Sequence, residues 1–122
     1  MSKRFSVAAR LGSFRHAFRG LGTLLREEHN ARIHLAATLA AVGLGFYLDV
    51  SRMEWALLAI VIALVWLTEA LNSAVEYLAD ALHPEQHPLI GKAKDVAAAA
   101  VLAAAFGALL VGALVFLPYL LN

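Results

Sequence analysis

The sequence predicts an all-α integral membrane protein, with three membrane helices preceded by one amphipathic helix on the membrane surface. Three observations predict it. Of the 122 residues 61% are hydrophobic and 16% charged, with a mean hydropathy of +0.73, whereas soluble domains are about 45–50% apolar. The charges are segregated: seven of the ten Lys/Arg precede residue 33, and no charged side chain follows Asp95. Three long apolar stretches alternate with short polar turns, each stretch near or above the ~20 residues a bilayer requires. The whole of 1–122 reads as one membrane domain.

Residues 5–26 form the surface helix. Val7, Leu11, Phe14, Phe18, Leu21 and Leu25 recur at spacings of four and three, and Arg4, Arg15, Arg19 and Arg26 line one flank. Arginines beside an apolar stripe suit a helix lying in the interface, anchored to anionic lipid. Gly20 and Gly22 are expected to loosen its second half. Because this start is amphipathic, with no apolar core and small-residue cleavage site, no cleavable signal peptide is expected. Membrane helices then cover 31–48, 53–82 and 90–119. Asp49-Val50-Ser51-Arg52 makes the first turn, and His83-Pro84-Glu85-Gln86-His87-Pro88 is read as a non-helical loop. The N-terminal region carries seven Lys/Arg, the 83–95 region two and the 49–52 turn one. The positive-inside rule therefore puts the N-terminus and second loop in the cytoplasm.

The middle helix carries the most informative residues. Glu69, Asn72, Glu76 and Asp80 fall at i, i+3, i+7 and i+11, on one helical face among aliphatic neighbours. A carboxylate there costs roughly 2.5–3.5 kcal/mol or more, so a sequence that retains several is using them. Glu28, Asn30 and Arg32 open the first membrane helix, and Lys94 and Asp95 open the third. All of them converge on the cytoplasmic leaflet. Glu28 and Glu76 have the oxygen chemistry Mg²⁺ prefers. Lys94 and Asn72 suit phosphate oxygens, and Glu69, in the driest position, suits a general base that takes a hydroxyl proton. Metal, phosphate clamp and base are the parts of phosphoryl transfer, with a lipid alcohol as the natural acceptor. The same stripe also fits a polar helix–helix seam or the proton path of a small transporter, and Lys94-Asp95 alone fits a helix anchor. There is no Gly-rich phosphate loop, no cysteine chemistry, and no feature that calls for nucleic acid. The proline-containing loop separates His83 from His87, which argues against zinc.

Glu69-Ala-Leu-Asn72-Ser-Ala-Val-Glu76, followed by Ala93-Lys94-Asp95-Val-Ala-Ala, resembles the signature of the small bacterial integral-membrane lipid kinases. These form the diacylglycerol kinase and undecaprenol kinase family. The resemblance runs from about Phe14 to Gly112. It implies a homotrimer in the bacterial inner membrane, with composite active sites between subunits, that phosphorylates a lipid hydroxyl from MgATP. By position it implies Glu69 as catalytic base and Glu28 and Glu76 as metal ligands. Asn72, Lys94 and Asp95 would lie on the nucleotide phosphates, Glu85, Gln86 and His87 near the nucleotide, and Asn30 and Arg32 beside the lipid. His16 falls where the diacylglycerol kinase branch has a nucleotide-contacting tyrosine. The run Glu28-His-Asn30-Ala-Arg32-Ile-His34 and the 83–88 loop are more similar to the undecaprenol kinase branch, so undecaprenol is the expected acceptor and diacylglycerol the alternative.

Overall fold

The computed structural model describes residues 4–83 and 85–122; Lys3 and Pro84, both used in the sequence reading, lie outside them. Four helices follow in order: α1 (Val7–Glu27), α2 (His29–Leu48), α3 (Arg52–Leu82) and α4 (Pro88–Leu121). Among the described residues there is no strand. The last three helices are long and apolar enough to cross a membrane. At 1.5 Å per residue α3 is roughly 46 Å long, so it exceeds a ~30 Å hydrocarbon core by several turns.

Ser6 caps α1, its side chain accepting from the Ala9 amide at 3.2 Å. The helix runs unbroken through Gly20 and Gly22. Its Val7, Leu11, Phe14 and Phe18 remain more than half exposed, while Leu24, on another face, is buried. That leaves an unpartnered apolar stripe along α1, the form an interfacial helix takes. The chain breaks at one residue, Glu28, whose backbone is extended, and α2 starts directly after it. Arg32 holds this elbow from one turn inside α2. Its Nε donates to the Leu25 carbonyl at 2.8 Å and its Nη2 to the Arg26 carbonyl, so a cation caps the carbonyl end of α1.

The turn between α2 and α3 is specified residue by residue. Asp49 sits in the left-handed region (φ 53°). The Asp49 amide donates to the Phe46 carbonyl and the Val50 amide to the Gly45 carbonyl, which is the Schellman pattern. Val50 then turns inward and joins Leu58, Val115 and Phe116 in a buried cluster. Ser51 and Glu54 close a reciprocal capping box on α3, and Tyr119 near the end of α4 donates to Glu54. Trp55 packs on Phe46 with ring centroids 4.8 Å apart and lies over Gly45. A methyl at Gly45 would come within 2.6 Å of that ring. Gly45→Ala should therefore destabilise the turn by about 1–3 kcal/mol, read as a lower thermal midpoint in detergent. An unchanged midpoint would mean that Trp55 moves aside freely.

The second loop is shorter than the sequence suggests. Pro88 is the first residue of α4, not part of the loop, and His87 is the N-cap, its ring accepting from the Leu89 amide at 3.1 Å. Proline suits the first helical turn because its missing N–H would be unpaired there anyway. α4 packs mainly along α3. Outward-facing Ile60, Leu64, Leu67, Leu102, Phe106 and Leu114 are left between 45% and 67% exposed, as lipid or another chain would require.

Candidate functional site

The antiparallel helices gather the α1–α2 elbow, the C-terminal turns of α3 and the start of α4 at one end of the bundle. The acidic stripe of α3 climbs out of the interior toward that end. Glu69 is 1% exposed and Ser73, one turn on, is also 1% exposed. Asn72 and Glu76 are half-buried, and the Asp80 side chain is two-thirds exposed. The stripe is thus graded by depth, with one deeply buried carboxylate and the others increasingly accessible.

Glu69 meets α2 through His34: Oε2 lies 3.4 Å from His34 Nε2. The imidazole packs against one aromatic ring of α3. Trp66 meets it in a T-shaped arrangement, centroids 6.5 Å apart. Trp66 also donates from Nε1 to Thr38 Oγ1 at 3.0 Å, and Thr38 donates to the His34 carbonyl at 2.7 Å. Four buried atoms near this point, His34 Nε2, Glu69 Oε2, Asn72 Oδ1 and Ser73 Oγ, have no hydrogen-bond partner within the chain. A buried polar group without a partner costs about 1–3 kcal/mol, so this face of α3 carries unmet hydrogen-bonding capacity. An apolar cleft of about 430 Å³ between α2, α3 and α4 opens beside it. His34 and Thr38 lie at one end of its lining, with Leu58 and Phe116 toward the other.

Two turns further out, Tyr77 draws the elbow onto α3. Its hydroxyl lies 3.0 Å from Glu27 Oε2 and 3.3 Å from Glu28 Oε1; with one proton to give, it is shared between the two carboxylates. Lys94 on α4 reaches Asp80 on α3 at 2.6 Å. It also lines a second cleft, about 580 Å³, with His83, Glu85, Gln86, His87, Ile90 and Gly91. The His83 and His87 rings stand 5.1 Å apart, and His83 Nδ1 lies 3.0 Å from the Glu85 carbonyl.

The sequence-predicted residues thus separate into groups. Lys94, Glu85, Gln86 and His87 share one cleft, and Glu69 and Asn72 lie one turn apart on α3, each with an unpartnered oxygen. Glu28 is tied to α3 through Tyr77. Arg32 is engaged with the end of α1. His16, Asn30 and Asp95 are exposed, and among the described residues no side-chain hydrogen bond links them to the cluster. Four participants escaped sequence reasoning. Glu27 and Tyr77 gave no signal, since a tyrosine beside a glutamate on a helix is unremarked. His34 and Ser73 gave a faint one, being polar side chains within apolar helices.

Among the described residues no three His, Asp or Glu side chains converge closely enough to hold a metal by themselves. That does not conflict with Mg²⁺, which is usually held by one or two carboxylates together with substrate phosphates and water. The Glu28 carboxylate, held by Tyr77 beside the polar end of α3, has the donor chemistry for such a shared ion.

The description "Prokaryotic diacylglycerol kinase" belongs to the family model that matches residues 15–116. The chain is 39% identical over 108 residues to an undecaprenol kinase of Bacillus subtilis, covering 88% of both chains. It is 38% identical over 89 residues to a diacylglycerol kinase of Escherichia coli, covering 73% of each. A diacylglycerol kinase of a Synechocystis strain is 37% identical over 113 residues, 92% of this chain and 65% of that one.

Proposed function

Because the chain belongs to the prokaryotic diacylglycerol kinase family and is a membrane lipid kinase, we propose that it transfers the γ-phosphoryl group of MgATP to the primary hydroxyl of undecaprenol. The observation that carries the reading is Glu69: a carboxylate 1% exposed, among unpartnered polar atoms, next to an apolar cleft. A lipid alcohol brings the hydroxyl for the first and the hydrocarbon for the second. Its oxygen forms the new bond to the γ-phosphorus, and the bond from that phosphorus to the β-phosphate oxygen breaks, its electron pair leaving with ADP. The hydroxyl proton passes to Glu69.

The other proposed assignments follow the depth gradient. Glu28 and Glu76 would hold Mg²⁺, which supplies charge neutralisation on the phosphates. Lys94 and Asn72 would contact phosphate oxygens, with Asp95 close by. Lys94 keeps two ammonium hydrogens free beyond the one given to Asp80. Glu85, Gln86 and His87 would flank the nucleotide, His16 would approach it from α1, and Asn30 and Arg32 would lie near the lipid. The same reading has the site facing the cytoplasm, where ATP is, in a homotrimer whose exposed apolar faces cover one another.

Diacylglycerol is the second acceptor to test. The Glu28-to-His34 run and the 39% identity over 88% of a Bacillus subtilis undecaprenol kinase favour the polyprenol. Phosphate transfer from labelled ATP in Mg²⁺-containing mixed micelles, with undecaprenol and diacylglycerol offered separately and together, decides between them. Preferential labelling of undecaprenol is expected. Preferential labelling of diacylglycerol would keep the mechanism and replace the substrate, and labelling of neither by folded protein would overturn the reading.

A further inference from the structure

The buried carboxylate of α3 has one ionisable neighbour across the helix interface. His34 Nε2 and Glu69 Oε2 face each other at 3.4 Å, and neither atom has a hydrogen bond elsewhere. That separation lies just beyond the 2.7–3.2 Å of a formed bond, in a pair that a small closure of α2 on α3 would join. Catalytic contacts are often long before substrate arrives and tighten on binding. The imidazole sits against Trp66. The two rings meet in a T-shaped contact, and Trp66 hydrogen-bonds Thr38, which in turn bonds the His34 backbone carbonyl. The ring thus packs against an indole that is itself fixed to α2 through Thr38. His34 also lines the apolar cleft, so it stands where hydrocarbon gives way to carboxylate.

We propose that His34 is a positioning residue for Glu69: its Nε2–H holds one carboxylate oxygen and so presents the remaining lone pairs to the acceptor hydroxyl. The inference rests on the kinase reading of the site and adds a residue to it. With its hydrogen on Nε2, the neutral imidazole is a donor at that atom, and the imidazolium is a donor there too. A free carboxylate in an apolar wall would rotate about its last torsion; one anchored by a donor does not. The rate of the chemical step depends on that orientation, while His34 lies outside the cleft lined by Lys94, Glu85, Gln86 and His87, the residues proposed to flank the nucleotide.

Two variants separate the proposal from a packing role. Glutamine places an amide nitrogen near the position of Nε2 and keeps the donor; leucine has similar bulk, suits the apolar cleft and removes it. His34→Leu should lower kcat by about tenfold to a hundredfold, the worth of one hydrogen bond to a charged group. His34→Gln should stay within about threefold of wild type. In both, the KM for ATP and the thermal midpoint in detergent should be unchanged. Equal loss in the two variants would overturn the proposal, because the donor would then not matter, and so would wild-type kcat in the leucine variant. A KM for ATP that rises in step with the kcat loss would reassign His34 to nucleotide binding and overturn it as well. Wild-type protein is assayed alongside: if it transfers no phosphate, the kinase reading falls and this inference with it, whereas active wild type with indifferent variants removes His34 alone.

Discussion

Glu69→Gln should all but abolish phosphoryl transfer while leaving the fold and ATP affinity intact. The substitution keeps shape and hydrogen-bonding capacity but removes the proton acceptor, and a positioned general base is worth about 10²–10⁴ in rate. Because Glu69 is 1% exposed, water does not readily substitute for it. The neutral amide also relieves a buried charge, so the variant's thermal midpoint in detergent should equal or exceed that of wild type. Turnover and nucleotide binding measured on the same preparation check this. A glutamine variant turning over within threefold of wild type would remove Glu69 as base and leave it a structural polar residue.

The second large effect concerns the outer carboxylates. Glu76→Ala and Glu28→Ala should each raise the Mg²⁺ concentration needed for half-maximal rate. A contact to a charged group worth about 1.5–3 kcal/mol corresponds to roughly a tenfold to hundredfold shift. Saturating Mg²⁺ should recover part of the rate, which distinguishes these variants from Glu69→Gln, where no cation restores a missing base. The Mg²⁺ titration is the deciding measurement; curves superimposable on wild type would strip both residues of the metal assignment. Glu28 carries a second expectation. Since Tyr77 lies 3.3 Å from it, Tyr77→Phe should give a milder shift in the same direction.

The helices were legible because bilayer-length apolar runs and their polar punctuation are local signals. The acidic stripe was legible for the same reason, as a 3.6-residue period against a background that makes each carboxylate conspicuous. Contacts between helices were not. Nothing in Glu27 or Tyr77 announces that residues fifty positions apart meet, and the Lys94–Asp80 pair depends on how α3 and α4 are aligned. Arg32 sits in a run that implies a place beside the lipid, and in the fold it also caps the last carbonyls of α1. Capping from the following helix requires the elbow at Glu28, which only the folded chain reveals. Pro88 was misassigned because proline ends helices more visibly than it begins them. The decisive fact there is the N-cap of His87, a matter of geometry.

The two ends of the bundle are fastened very differently. The 49–52 turn is locked by a Schellman pair, a capping box, an indole over a glycine and an apolar cluster that takes in the end of α4. At the opposite end the fastening is largely polar: the Arg32 cap on α1, a shared tyrosine proton and one lysine–aspartate pair, over the buried Leu24, Ala31 and Ala79. The bundle is therefore riveted like a pair of tweezers at the end away from Glu69. Parting the helices near the carboxylates would uncover Leu24, Ala31, Glu69, Ser73 and Ala79, so burial as well as polar contact holds that end together. On the kinase reading proposed above, an acceptor would come sideways from the bilayer to this polar end, away from the locked 49–52 turn.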